Sequence, residues 1–71
     1  MLDTTILSAS VRDARAGLMR ARALYDQAVR DFEREEDLHA EELISEAQFS
    51  DTRTAMETAR ASVLSAEASL D

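Results

Sequence analysis

Two stretches of the sequence decide the fold: LSASVRDARAGLMRARALYDQAVRDF at residues 7–32 and FSDTRTAMETARASVLSAEASL at residues 49–70. In each, apolar or small residues recur at alternating spacings of three and four, the heptad pattern of a coiled coil. The first seam consists of Leu7, Val11, Ala14, Leu18, Ala21, Tyr25, Ala28 and Phe32, and the second of Phe49, Thr52, Met56, Ala59, Val63, Ala66 and Leu70. The pattern predicts two long helices, each with one apolar seam.

The two seams are complementary in side-chain size. Antiparallel pairing of residues whose numbers sum to 84 sets one large side chain against one small one in six successive pairs, which fills a narrow interface without voids. These pairs are Phe32 with Thr52, Ala28 with Met56, Tyr25 with Ala59, Ala21 with Val63, Leu18 with Ala66, and Ala14 with Leu70. The sequence therefore predicts an all-α fold, a two-helix antiparallel coiled-coil hairpin.

The predicted hairpin spans residues 1–71. Helix 1 covers about residues 4–40, the tip turn about 41–44, with Leu43 and Ile44 near its apex, and helix 2 about 45–71. In this register residues 1–12 have no partner within the chain. We therefore expect either self-association through that segment or a hairpin excised from a longer protein.

The start of the second helix carries its own signal. The segment from Ser45 to Gln48 reads Ser-Glu-Ala-Gln, a capping box in which both side chains bond to unpaired backbone amides. Ile44 and Phe49 occupy the positions of a hydrophobic staple around that cap. We expect Ser45 and Gln48 to act as the helix cap.

Composition and charge exclude several classes of protein. The 71 residues include no Cys, no Pro and one Gly, and the formal net charge is −7. Residues 31–51 hold nine acidic side chains against Arg34 alone. Without Cys there is no disulfide or Cys-based zinc site. An acidic chain lacks the basic stripe that nucleic acid requires, and it does not favour anionic lipid, so we expect neither nucleic-acid binding nor direct membrane contact by this segment.

Nothing in the sequence resembles an active site. His39 is the one histidine, and it is predicted to face Ser45, with Glu35, Glu41 or Glu42 as the candidate for a third group. No oxyanion hole or concave pocket accompanies these residues. The clustered carboxylates lack the loop geometry of a calcium site. We expect no enzyme activity, no metal site and no cofactor.

The tip carries a more specific pattern. Arg34 is followed four residues later by Leu38 and seven residues after that by Ser45, with Ile44 directly before the serine and Asp51 six residues beyond it. This spacing resembles the tip of the α-helical hairpin of periplasmic adaptor proteins. These are the membrane fusion proteins of tripartite efflux pumps and type I secretion systems. The resemblance extends over roughly residues 11–71, and one position departs from it: Glu42 stands where a small residue, often Gly, is common.

The resemblance implies a binding partner and a cellular location for the hairpin. It implies that the parent protein is anchored at the inner membrane, assembles commonly as a hexamer, and projects its hairpins through the periplasm toward a TolC-like outer-membrane channel. The hairpin would help to bridge that channel to an inner-membrane transporter for drug efflux or for protein or small-molecule export. Arg34, Leu38 and Ser45 would be the channel-binding residues. The transported substrate, the transporter class (RND, ABC or MFS) and the identity of the channel stay open.

Two other interpretations of the sequence stay open. The chain could be a free-standing helical hairpin that dimerises into a four-helix bundle and serves as a regulator or chaperone. It could also be a coiled-coil segment of an unrelated larger protein, in which the tip spacing is coincidental.

Overall fold

The computed structural model describes the backbone of residues 2–70 and the side chains of residues 7–70. Helix α1 runs from Leu2 to Ala40 and helix α2 from Glu46 to Leu70. They pack against each other and no strand occurs in the described chain, which confirms the predicted all-α hairpin. α1 begins two residues before the predicted start, and the predicted end of helix 2 at residue 71 lies outside the described residues.

The helices form a thin rod of 61 × 13 × 13 Å. At 1.5 Å per residue, the 39 residues of α1 account for nearly all of that length. α2 has 25 residues, so α1 extends beyond its partner at the end away from the tip. Leu7 and Val11 lie on this extension and are 64% and 44% exposed, as the register predicts.

The interface lies along the predicted seams. Leu18, Ala21 and Phe49 are buried, and the other seam residues between Ala14 and Ala66 are half-buried. No side chain of the described residues loses all of its surface, because a two-helix rod has one interface and leaves the rest of each helix in water. Three large apolar side chains that lie off the seams are correspondingly exposed: Met19, Leu24 and Leu64.

Polar contacts between the helices follow the predicted register to within about one residue near the tip. His39, predicted opposite Ser45, contacts Glu46, and Gln48 donates to Glu35 at 3.2 Å. Farther along the rod, Arg22 pairs with Glu67 at 3.3 Å. The numbers of these two residues sum to 89 rather than 84, because both side chains are long and reach along the rod. The ion pair is exposed on both sides, so it contributes little to stability.

The tip end of the interface departs from the predicted pairing of large with small side chains. Phe32 was expected opposite Thr52, but its ring stacks on Phe49 with the centroids 5.4 Å apart. The His39 ring stacks on the same phenyl ring at 4.4 Å, and the Arg53 guanidinium carbon lies 5.1 Å from its centroid. A side chain in a coiled-coil interface enters a hole formed by several residues, so Phe32 reaches beyond its nominal partner. An aromatic cluster around Phe49 therefore closes the interface below the tip.

We expect Leu18→Ala to lower the free energy of unfolding by about 2–3 kcal/mol, because it leaves a void against the small residues of α2. Leu24→Ala on the same helix is the matched control. Its leucine is 62% exposed, and the change should stay within about 0.5 kcal/mol. Urea unfolding of the 71-residue chain followed by circular dichroism measures both. Equal losses in the two variants would contradict the assigned seam.

Candidate functional site at the hairpin tip

The end of α1 is closed by a left-handed turn. Glu42 has φ of 60°, the one non-glycine residue of the described chain with a positive φ. Its amide donates to the His39 carbonyl at 2.9 Å, and the Leu43 amide donates to the Leu38 carbonyl at 2.8 Å. These two bonds form a Schellman motif, with Glu42 at the position that glycine usually occupies. Glu42 is the one position where the tip departs from the resemblance, and its backbone conformation is one that favours glycine.

Ser45 caps the start of helix α2. Its hydroxyl oxygen accepts a hydrogen bond from the Gln48 amide at 3.0 Å, and its carbonyl accepts from the Phe49 amide at 3.0 Å. This is the geometry of an N-cap residue. The two helices are therefore joined by only five residues, 41–45, whose backbone is fixed at both ends.

The Gln48 side chain does not complete the predicted capping box. Instead of returning to the Ser45 amide, it donates to the Glu35 carboxylate on α1, and Thr52 donates its hydroxyl to the same carboxylate. No hydrogen bond within the described chain joins the Gln48 side chain to the Ser45 amide. The Gln48 Nε2 donates to a charged carboxylate, a stronger bond than one between neutral groups, and this bond turns the side chain toward α1. Gln48 therefore ties the helices together while Ser45 alone caps α2.

Arg34 presents its guanidinium at the surface near the tip. The side chain is 65% exposed, and it donates to Asp31 on the preceding turn at 3.0 Å. This contact uses one of the five N–H donors of the guanidinium. Asp31 orients the group, and the planar fork keeps the geometry that binds carboxylates and carbonyls.

Leu38 is half-buried, although it lies off the predicted seam. It stands one turn after Arg34 on the same side of α1, and its carbonyl accepts the Leu43 amide. The structure thus places Arg34 and Leu38 in the last two turns of α1 and Ser45 directly after the turn.

His39 is held by α2 rather than by Ser45. Its Nε2 lies 2.6 Å from the Glu46 carboxylate, and its ring is stacked on Phe49. The Ser45 hydroxyl meanwhile accepts the Gln48 amide. These contacts give both residues structural roles at the junction of the two helices, and they do not form a serine–histidine pair.

The described residues show neither a metal-binding cluster nor a membrane-spanning helix. No group of three or more His, Asp or Glu side chains there is arranged to hold a metal ion. No helix there combines the length and the apolar character needed to cross a membrane.

Comparison with known families agrees with this geometry. Residues 10–71 match the family model described as RND MFP, alpha-helical hairpin domain, where MFP denotes membrane fusion protein. The chain belongs to this family. The match includes α1 from residue 10 onward, the whole tip and α2, which confirms the resemblance to an adaptor hairpin and disfavours an unrelated coiled coil. No curated protein and no solved structure gives a significant match to the chain.

Membership of this family indicates a general function for the chain. RND membrane fusion proteins are periplasmic adaptors anchored in the inner membrane, and they work with an outer-membrane channel and an inner-membrane transporter. The hairpin family is a family of non-enzymatic adaptors. Of the three transporter classes that the sequence left open, the family description names RND.

Leu43 is the tip residue that sequence reasoning left out of the site. The sequence placed it near the apex of the turn, and the structure leaves its side chain 65% exposed. The signal was a large apolar residue directly after two glutamates in a turn, where a polar residue is the usual choice.

We expect Glu42→Gly to raise the free energy of unfolding by about 0.5–1 kcal/mol, because glycine adopts a positive φ without steric cost. Glu42→Ala removes the same charge but keeps a Cβ at the left-handed position, so it should give little or no gain. Thermal and urea unfolding of the two variants compare the effects. An equal gain in both would assign the effect to charge rather than to backbone strain.

Proposed function

We propose that this hairpin docks by its tip onto a TolC-like outer-membrane channel, as part of a periplasmic adaptor that bridges the channel to an inner-membrane RND transporter. The system would move drugs or other small molecules out of the cell. Membership of the RND membrane fusion protein hairpin family over residues 10–71 is the observation that supports this proposal most strongly.

The form of the molecule supports end-on docking. A rod 61 Å long and 13 Å across offers a small, well-defined surface at its tip and lets the adaptor reach across a gap. The turn is short, and both helix ends are closed by hydrogen bonds. A fixed surface loses little conformational entropy on binding, so even a small contact can be specific.

Arg34, Leu38 and Ser45 are the proposed channel-binding residues. Arg34 donates paired hydrogen bonds from its exposed guanidinium. Leu38 adds apolar contact from its exposed portion. Ser45 fixes the start of α2 and brings a hydroxyl to the docking surface, so its role in docking is added to its role as a cap.

The adaptor is proposed to act as a homo-oligomer, commonly a hexamer. Several tips then engage one channel, and linked contacts raise the overall affinity well above that of a single tip. In this arrangement the hairpin lies in the periplasm while other parts of the adaptor attach it to the inner membrane. The hairpin itself carries out no chemistry.

Arg34→Ala should weaken binding of the adaptor to its channel by roughly tenfold or more, since a charged hydrogen-bonding group at an interface is typically worth 1.5–3 kcal/mol. Arg30→Ala is the matched control, because Arg30 also donates to the side chain three residues before it, at 3.2 Å, and lies one turn farther from the tip. Surface plasmon resonance with the purified channel measures both variants. Loss of helicity in Arg34→Ala without loss of docking would contradict the proposed role.

Substitutions at Ser45 should separate capping from docking. Ser45→Ala removes the cap and should cost about 1 kcal/mol in unfolding free energy, whereas Ser45→Asp keeps an acceptor for the Gln48 amide and should stay near wild type. If the hydroxyl contacts the channel, Ser45→Asp should still weaken binding. Wild-type affinity in Ser45→Asp would limit Ser45 to capping.

A further inference from the structure

Leu43 is the apolar side chain that the tip presents to its surroundings. Five large apolar residues lie between positions 31 and 51: Phe32, Leu38, Leu43, Ile44 and Phe49. Phe49 is buried and three others are half-buried, and Leu43 alone in that range is exposed, at 65%. It lies in the middle of the five-residue turn that joins α1 to α2.

The backbone holds Leu43 in place. Its amide is bonded to the Leu38 carbonyl, Glu42 before it turns the chain with a positive φ, and Ser45 two residues later starts α2. The side chain is therefore presented from a fixed position. Burying such a leucine in a partner gains apolar free energy without first ordering a loop.

The charge around Leu43 limits what can cover it. Glu41, Glu42 and Glu46, here called the acidic collar, are exposed on either side of the turn, and residues 38–50 contain no Arg or Lys. The one cationic candidate in that segment, His39, is engaged with Glu46. A second copy of this tip would bring like charges together, and an anionic membrane surface would repel the collar.

We propose that Leu43 inserts into an apolar recess at the periplasmic end of the outer-membrane channel, and that Arg or Lys side chains around this recess meet the acidic collar. This inference rests on the proposed docking function and adds a residue and a partner chemistry to it. Leu43 supplies apolar burial at the centre of the contact. The collar favours basic side chains in the rim around Leu43.

Leu43→Gln in the adaptor that carries this hairpin should weaken its affinity for the purified channel by roughly tenfold or more, the loss that follows from leaving one leucine unburied. Leu24→Gln is the matched control, because Leu24 is 62% exposed but lies on the shaft of α1. Both variants should keep wild-type helicity and thermal stability. Equal affinities for Leu43→Gln and wild type would overturn the role of Leu43.

The role of the acidic collar is tested by removing its charges and by varying the salt concentration. The double variant Glu41→Gln/Glu42→Gln keeps the side-chain lengths and the Cβ at position 42 while removing two charges. We expect it to bind the channel several-fold more weakly at low salt and to lose affinity less steeply than wild type as NaCl is raised, because exposed charges are screened. Unchanged or tighter binding by the double variant would overturn the basic rim.

The Arg34→Ala variant separates this inference from the docking proposal. If Arg34→Ala weakens binding and Leu43→Gln does not, docking stands and the Leu43 inference is wrong. If Leu43→Gln and the charge variant both weaken binding as stated while Leu24→Gln does not, the inference is supported. If neither Arg34→Ala nor Leu43→Gln weakens binding, the docking proposal fails together with the inference.

Discussion

The packing of two seams in which large side chains alternate with small ones holds this molecule together. A hairpin of two helices has one interface, so the stability of α1 and α2 and the position of everything between them depend on that contact. Small residues such as Ala21 and Ala59 let the helix axes approach closely, and Leu18 and Met56 fill the remaining space. Toward the tip the interface ends in the aromatic cluster around Phe49, which holds the last turn of α1 against the first turn of α2.

The tip follows from that arrangement. Because the seam fixes where each helix must end, the connection has only five residues in which to reverse the chain. It does so with a positive φ at Glu42 and a capped start at Ser45. An acidic residue in the left-handed conformation costs about 0.5–1 kcal/mol relative to glycine, and the packing of the adjoining helices offsets that cost. The result is a narrow, rigid end that exposes Arg34, Leu43 and the acidic collar.

Much of the fold could be predicted from the heptads, because the periodicity of apolar residues identifies the buried face of a helix and the alternation in size fixes the register. The tip spacing of Arg34, Leu38 and Ser45 was sufficient to suggest the family. Side-chain partners were harder to predict, since they depend on which groups of the other helix lie within reach. The Gln48 side chain donates to the Glu35 carboxylate instead of accepting the Ser45 amide, and the Phe32 ring stacks on Phe49 rather than facing only Thr52. The burial of Leu38 and the exposure of Leu43 depend on the turn geometry, which no periodic pattern encodes.

End-on docking requires that the hairpin touch its channel only through the tip. Photo-cross-linking residues introduced one at a time along the hairpin, in cells that produce the adaptor and its channel, report those contacts. We expect channel adducts from positions 38, 43 and 48 and none from shaft positions such as 19, 24 and 64. Adducts with the channel from the shaft positions, or none from the tip, would contradict end-on docking.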